Sequence, residues 1–479
     1  MIHTLSVIGL IIYFAILLIA VSIEKPNKNI EDYFFAGRSL PFWALSITFI
    51  ASWWGAGSAI STADLAYEDG ISAFWYYGVP VLISTFLMII FSKSIRKIGY
   101  LTQGELFKER YSKANAKYLS FLIYIFMTFT VSSQMVGIGQ FFGTYLNLSY
   151  EIGILVGTSI VLIYSVFGGF RGVVLTDIIQ FTFLVIAALL VFIVATNKAG
   201  GFTYIYNYSS SIGKKDYFSF FAGAKKYFAY VITFGCAWMI QANVWQRISA
   251  TKNELDAKKM TTMSFFIYIP LYLIVVLTGM AAIVLYDKMP DGGIILAIVK
   301  EQMSPIMGAF VFVGISAAIM STMDSLINTG ALTLTLDLLD NGKDNQDKIK
   351  ISKYATLFTT LIALLISLRI RSILVISYLA SDIITTGAFI PLIFGFFFKK
   401  GNSKGALASM IIGSIYCLYN LLHLLGVPLP PLFANDETLR VIVGLSLSFI
   451  VYLTVSIFTS EDTSKAESFI KSAALIKRN

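Results

Sequence analysis

The chain has 479 residues, of which 57% are hydrophobic and only 13% charged, a composition far from that of a water-soluble globular protein. Its formal charge is +9, but the basic residues sit in short clusters between apolar runs; that pattern excludes a nucleic-acid-binding face and matches the bias of cytoplasmic loops in membrane proteins. Two cysteines inside apolar runs and two histidines exclude a disulfide framework and a His-based metal cluster.

Apolar runs of about twenty residues recur along the chain, each long enough to cross a hydrocarbon core of about 30 Å as a helix. They predict an all-α integral membrane protein with about thirteen transmembrane helices, near 4–23, 41–67, 74–92, 118–146, 150–169, 174–197, 226–246, 262–286, 304–339, 353–371, 372–398, 404–424 and 439–459. The first run lacks a basic n-region and a small-residue cleavage site, so it reads as a retained span. A short external helix is expected within 287–303, and a tight turn holding Arg369 and Arg371 joins two later spans. Lys93, Arg96, Lys97, Lys108, Arg110, Lys113 and Lys117 fall on the side holding about 26 of the Lys and Arg residues, which the positive-inside rule makes cytoplasmic. The expectation is a multi-pass inner-membrane protein with its N-terminus outside and a short tail, 461–479, in the cytoplasm. That tail is too short to be an appended soluble domain.

Two spans carry more than lipid-facing residues. The stretch SITFIASWWGAGSAISTADLAY at 46–67 mixes Ser, Thr and Gly with aromatics and includes Asp64; the span near 304–339 contains SAAIMSTMDS. Small and polar residues at mid-membrane either let helices pack closely or open a backbone to a ligand, and composition leaves both readings open. A break near Trp53–Gly57 has to face protein or a water-filled cavity, because lipid satisfies no freed polar group.

At 165–180 the chain reads SVFGGFRGVVLTDIIQ, with Thr176, Asp177 and Gln180 following the glycine turn. This stretch resembles a signature of the sodium:solute symporter family, and DYFFAGRSLPFWALS at 32–46, VWQRISA at 244–250 and AAIMSTMDS at 317–325 agree in order. The resemblance implies a leucine-transporter-like core of two inverted five-helix repeats, at 41–197 and 226–398, with the first repeat helix broken. Around them would lie an N-terminal helix and loop (1–40), an external loop (198–225), two C-terminal helices (399–460) and the tail (461–479). It implies secondary active transport by alternating access, not enzyme catalysis. The partners are sodium, a small organic solute and the bilayer, with no nucleic acid and a monomeric or weakly oligomeric state. Sodium is then a transported ion and not a fixed cofactor.

By the same resemblance the sodium ligands map to Ala51 and Trp54 on the broken helix and to Ala318, Ser321 and Thr322, which a helix presents on one face. An uncharged oxygen cage suits a monovalent cation; the plainer alternative has both hydroxyls bonding back to their own helix. Asp177 maps by resemblance to an ion exit or gate; Asp64 and Asp324, as carboxylates in or near spans where burial is costly, are candidates for coupling, with a structural hydrogen-bonding role for Asp324 the open alternative. Trp53, Tyr76, Tyr77, Gln241, Asn243 and Trp245 are the expected solute-lining residues. TADLAYEDGISAFW at 62–75 is similar to choline carriers, whereas Gln241 matches proline carriers; the second aromatic of a choline box falls on Gln241 and a tyrosine on Leu82. An amino acid such as proline, a choline- or betaine-like solute and a carboxylate all remain open. So do a proton-coupled carrier and a non-transporting sensor or channel on this scaffold.

Overall fold

The computed structural model describes residues 2–22, 29–339, 344–424, 426–433, 435–459 and 463–473, and the backbone alone of residues 2, 167 and 168. Residue 23 of the first expected span and residues 461–462 and 474–479 of the expected tail lie outside them. The described residues form helices without strands. In chain order these are α1 (Ile2–Ser22), α2 (Ile30–Phe35), α3 (Phe42–Ala51), α4 (Thr62–Asp69), α5 (Phe74–Ile98), α6 (Gln103–Arg110), α7 (Lys113–Leu146), α8 (Tyr150–Lys198), α9 (Phe202–Ser211) and α10 (Ala224–Met239). They continue as α11 (Ala242–Ser249), α12 (Glu254–Leu285), α13 (Ile294–Ala297), α14 (Pro305–Thr333), α15 (Asn345–Arg369), α16 (Ile373–Phe394), α17 (Ser403–Leu424), α18 (Glu437–Phe458) and α19 (Ser464–Ala473).

Every expected span coincides with helix, but the count of thirteen is not confirmed. Among the described residues, eleven helices are long and apolar enough to cross a membrane, or up to twelve if the pair Ile30–Arg38 and Phe42–Ala51, bent by 113°, is one span. The shortfall has a physical cause. The ten residues of α3 rise only about 15 Å, half a hydrocarbon core, and Tyr150–Val166 is also short. The two expected spans at 150–169 and 174–197 are one element, α8, split at Gly169, whose φ of 53° and ψ of −166° are open essentially to glycine alone.

The expected span at 226–246 is interrupted. Helix α10 ends at Met239, and Gln241 takes an extended conformation (φ −67°, ψ 127°) before α11 begins. The expected spans at 41–67 and 226–246 are thus each broken near the middle, one at 52–55 and one at 240–241. The expected external helix is present as α13 followed by a π-helical turn, Ile298–Gln302.

The core is built around α14. In its most apolar stretch 83% of residues are buried by protein, against 28% in α18, so α14 is a central element and α18 a peripheral one. The helix packs on α8, α7, α1 and α15, while α12 lies against α5, α4, α3 and α8. Small residues permit this. A Cβ at Gly314 on α14 would come within 2.4 Å of Ala187 on α8, and one at Gly279 on α12 within 2.2 Å of the Ala63 carbonyl on α4.

Candidate ion and solute site

The first break is made by Ser-Trp-Trp-Gly. The Ser52 hydroxyl donates back to Phe49 O at 2.9 Å, and the Ser58 hydroxyl donates to Trp53 O at 3.0 Å, so side chains take over where the helical ladder stops. The Ala51 carbonyl is left pointing at α14. There it accepts hydrogen bonds from Ser321 Oγ at 3.2 Å and Thr322 Oγ1 at 3.1 Å. The same hydroxyls also reach the Ala318 carbonyl, at 3.0 and 3.3 Å. Ala51, Ala318, Ser321 and Thr322 thus converge on one buried point. Trp54 follows at the break with its ring buried edge-on to Tyr272, 4.7 Å between centroids. Helix-internal bonding and a shared oxygen cluster are both present, because each hydroxyl is bifurcated between its own helix and the broken one.

The second break is closed differently. The Met239 carbonyl accepts the Trp245 indole N–H at 2.8 Å, and the Ile240 carbonyl accepts the Gln103 amide N–H at 2.7 Å. This explains Trp245, expected to line the solute path: its polar edge is spent on the backbone of its own break.

Between the breaks lies a small cavity of about 30 Å³. Its aromatic walls are Trp53, Tyr77 and Trp238; its polar lining is Ser52, Thr130, Gln134, Gln241, Thr322, Ser377 and Ser381, with no charged side chain. The breaks are joined across it by the Trp53 indole N–H, which donates to Gln241 Oε1 at 2.7 Å. Of the residues expected to line the solute path, Trp53, Tyr77 and Gln241 border this cavity. Tyr76 does not: it packs against Tyr230 (4.9 Å) and Phe234 (5.8 Å). Asn243 is buried away from the cavity, and its carbonyl accepts from Arg247 Nη1 at 2.9 Å. Sequence reasoning missed Trp238, Gln134, Ser377 and Ser381. Ser377 and Ser381 carried a signal, an i, i+4 pair of hydroxyls inside an apolar span.

A charged cluster sits beside the oxygen site. Asp177 and Arg247 are fully buried and paired, Arg247 Nη2 to Asp177 Oδ2 at 3.3 Å. Thr48 hydrogen-bonds Asp177 and accepts from Arg247 Nε at 3.1 Å, and Ser325 Oγ accepts from Arg247 Nη2 at 2.6 Å. Burying this pair is expensive, and the hydrogen bonds around it are what make it tolerable. Asp324 is fully buried in the same neighbourhood, with the Tyr164 and Ser325 hydroxyls beside its carboxylate. The other carboxylate expected to couple is elsewhere. Asp64 accepts the Ile294 N–H at 2.8 Å and so caps α13. No group of His, Cys, Asp and Glu suited to a metal ion occurs among the described residues.

The model of the sodium:solute symporter family matches residues 33–413. The chain belongs to this family. Over 95% of its length it is 27% identical to an osmoregulated proline transporter of Bacillus subtilis, covering 94% of that protein, and it is 27% identical to a sodium/glucose cotransporter of Vibrio parahaemolyticus, covering 95% of it. Among solved structures, a sodium-coupled sialic acid symporter in a substrate-bound outward-open state superposes with a TM-score of 0.81 at 19% identity, over 95% of this chain and 98% of that one. A nucleobase-cation-symport-1 transporter in a closed conformation superposes at 0.60 with 13% identity, over 93% and 99%. The fold is the leucine-transporter-like one. As a family member the protein is a sodium-coupled symporter of a small solute, not an enzyme, and sodium is its transported coupling ion.

Proposed function

We propose that the solute is a small zwitterion carrying a cationic nitrogen and a carboxylate, of the proline or betaine type. The observation that carries this is the cavity itself: aromatic faces of Trp53, Tyr77 and Trp238 with no charged side chain. Aromatic faces attract an ammonium group, while the start of the helical half at Ala56 offers backbone N–H groups and a positive dipole end to a carboxylate. Trp238 supports the cationic half, supplying an aromatic wall less than one turn before Gln241. A net-neutral solute suits a neutral cavity.

Sodium is held by Ala51, Trp54 and Ala318 carbonyls with the Ser321 and Thr322 hydroxyls. The ion would replace the hydroxyl-to-carbonyl hydrogen bonds, turning both groups' lone pairs inward. Binding there fixes the break against α14 and raises solute affinity by linkage. Asp177 and Asp324 form the ion exit, since Ser325 and Asp324 lie about one turn beyond Ser321 on α14. The repeats run 41–197 and 226–398, a division supported by a break in the first helix of each. The N-terminus lies outside and the C-terminus in the cytoplasm of an inner membrane.

Uptake by proteoliposomes at fixed pH tests this. Sodium-gradient-driven proline or betaine accumulation, competed by glycine betaine and not by glucose, is expected; competition by glucose alone overturns the zwitterion reading. A cysteine at Lys108 is expected to label only from the cytoplasm and one at Ser210 only from outside, in a background lacking Cys236 and Cys417. Labelling of Lys108 from outside inverts the topology.

A further inference from the structure

We infer that Gln134 is the positioning residue that ties the solute cavity to the sodium site, and that the neutrality of its amide sets the balance between the two affinities. This rests on the proposal that the solute carries a carboxylate. Gln134 belongs to α7, not to either broken helix, yet its side chain is buried at the first break and lines the solute cavity. Its amide oxygen accepts the Ala56 N–H at 2.8 Å. That N–H opens the outer half of the broken helix, where no intrahelical partner exists and a negative group is favoured. Gln134 therefore occupies, with a neutral oxygen, the place a solute carboxylate would take. Its other end is tethered, Nε2 donating to Ser133 Oγ at 3.1 Å.

The sodium site is adjacent. A Cβ built on Gly55 would come within 2.1 Å of Gln134 Oε1 and 3.0 Å of Thr322 Oγ1, so the amide and the ion-binding hydroxyl flank one residue. Only a residue without a side chain lets both approach the backbone there. A movement of the Gln134 amide is thus a movement beside Thr322. When a carboxylate displaces the amide from Ala56, the negative charge arrives next to the sodium oxygens, and each ligand strengthens the other.

Gln134→Glu separates this from a merely structural cap. A permanent negative charge at that place attracts sodium and repels a carboxylate, so the two constants are expected to move in opposite directions. Sodium half-saturation, measured by radiolabelled sodium binding to purified protein without solute, should fall about tenfold, and solute half-saturation at saturating sodium should rise about tenfold. Gln134→Met, similar in length and uncharged, removes the cap on the Ala56 N–H without adding a charge, so it is expected not to move the two constants in opposite directions. Both constants weakening together in Gln134→Glu, or both staying at the wild-type values, overturns the inference. Competition of wild-type uptake by carboxylate solutes is the separate arm. If carboxylates compete but the opposed shifts are missing, the Gln134 assignment fails and the zwitterion reading stands. If carboxylates do not compete, both fall.

Discussion

The two helix breaks face each other across one cavity, yet they dispose of their freed carbonyls in unlike ways. At the second break Met239 and Ile240 are capped by N–H groups, the indole of Trp245 and the amide of Gln103, which donate and carry no lone pair of their own toward the backbone. At the first, Ala51 is met by Ser321 and Thr322, short hydroxyls that carry lone pairs as well as a proton. An indole N–H cannot become a cation ligand by rotation, and the Gln103 amide does so only by a half-turn that swings its oxygen into the place of its N–H, whereas a hydroxyl needs only to turn its proton aside. On the proposed assignment, the difference teaches that a broken helix serves as an ion site where its caps can be exchanged for the ion.

The largest expected effect breaks the first side of that comparison. Ser321→Ala with Thr322→Ala should abolish sodium-driven accumulation in proteoliposomes while leaving membrane insertion intact, because Ala is well tolerated in a helix. Each single substitution should cost about 1–3 kcal/mol of ion binding, a roughly five- to 150-fold rise in half-saturating sodium. Unchanged sodium dependence in both singles would return the hydroxyls to helix-internal bonding.

Arg247 joins the two sides, since it sits on α11 below the second break and reaches Asp177 on α8 and Thr48 on α3. Arg247→Met leaves the Asp177 carboxylate buried without its partner, and the loss should be about 3–5 kcal/mol, read as a lower melting temperature in detergent. Combining it with Asp177→Asn should recover part of that loss. If the double variant melts no higher than Arg247→Met, the pair is not the source of the cost.

Trp53 sharpens the solute half. Trp53→Phe should retain partial transport and Trp53→Ala should weaken solute binding by about 0.5–2 kcal/mol, measured as half-saturating solute at fixed sodium. Equal behaviour of the two variants would leave Trp53 as packing against Phe49 and Tyr268, at 5.2 and 6.0 Å. The smallest effect belongs to the second break. Trp245→Phe removes the bond to Met239 and should cost about 0.5–1.5 kcal/mol of stability with sodium half-saturation unchanged; a shift in sodium dependence would erase the distinction between the breaks.

The spans were legible in the sequence because hydropathy over about twenty residues is a local pattern, whereas Ser321 and Thr322 were singled out by the family resemblance, their residue types alone leaving helix-internal bonding open. The second break was not legible, since Gln241 in an apolar run reads as one amide in a helix, and the caps that permit the break come from Gln103, remote in sequence, and Trp245 beyond it. Trp238 and Gln134 were illegible for the same reason. Aromatic and amide residues inside spans are common, and only the fold brings these two to one cavity. The expected lining residue Tyr76 shows the converse: its neighbour Tyr77 borders the cavity, and one step around a helix separates the two.

The carboxylate of Asp64 has a last consequence. The outer half of the broken helix is short, and at that end it is gripped by chain outside the bundle: Asp64 by the Ile294 N–H, the Ala66 carbonyl by the Tyr217 hydroxyl at 2.8 Å, and the Glu68 carbonyl by Lys214 at 2.8 Å. Those grips give the buried machinery a lever on the proposed outer face. An antibody or toxin clasping the loops around residues 214–217 and 291–294 would never enter the membrane, yet it would hold the piece of helix proposed to receive the solute, and on that proposal would brake the carrier from outside.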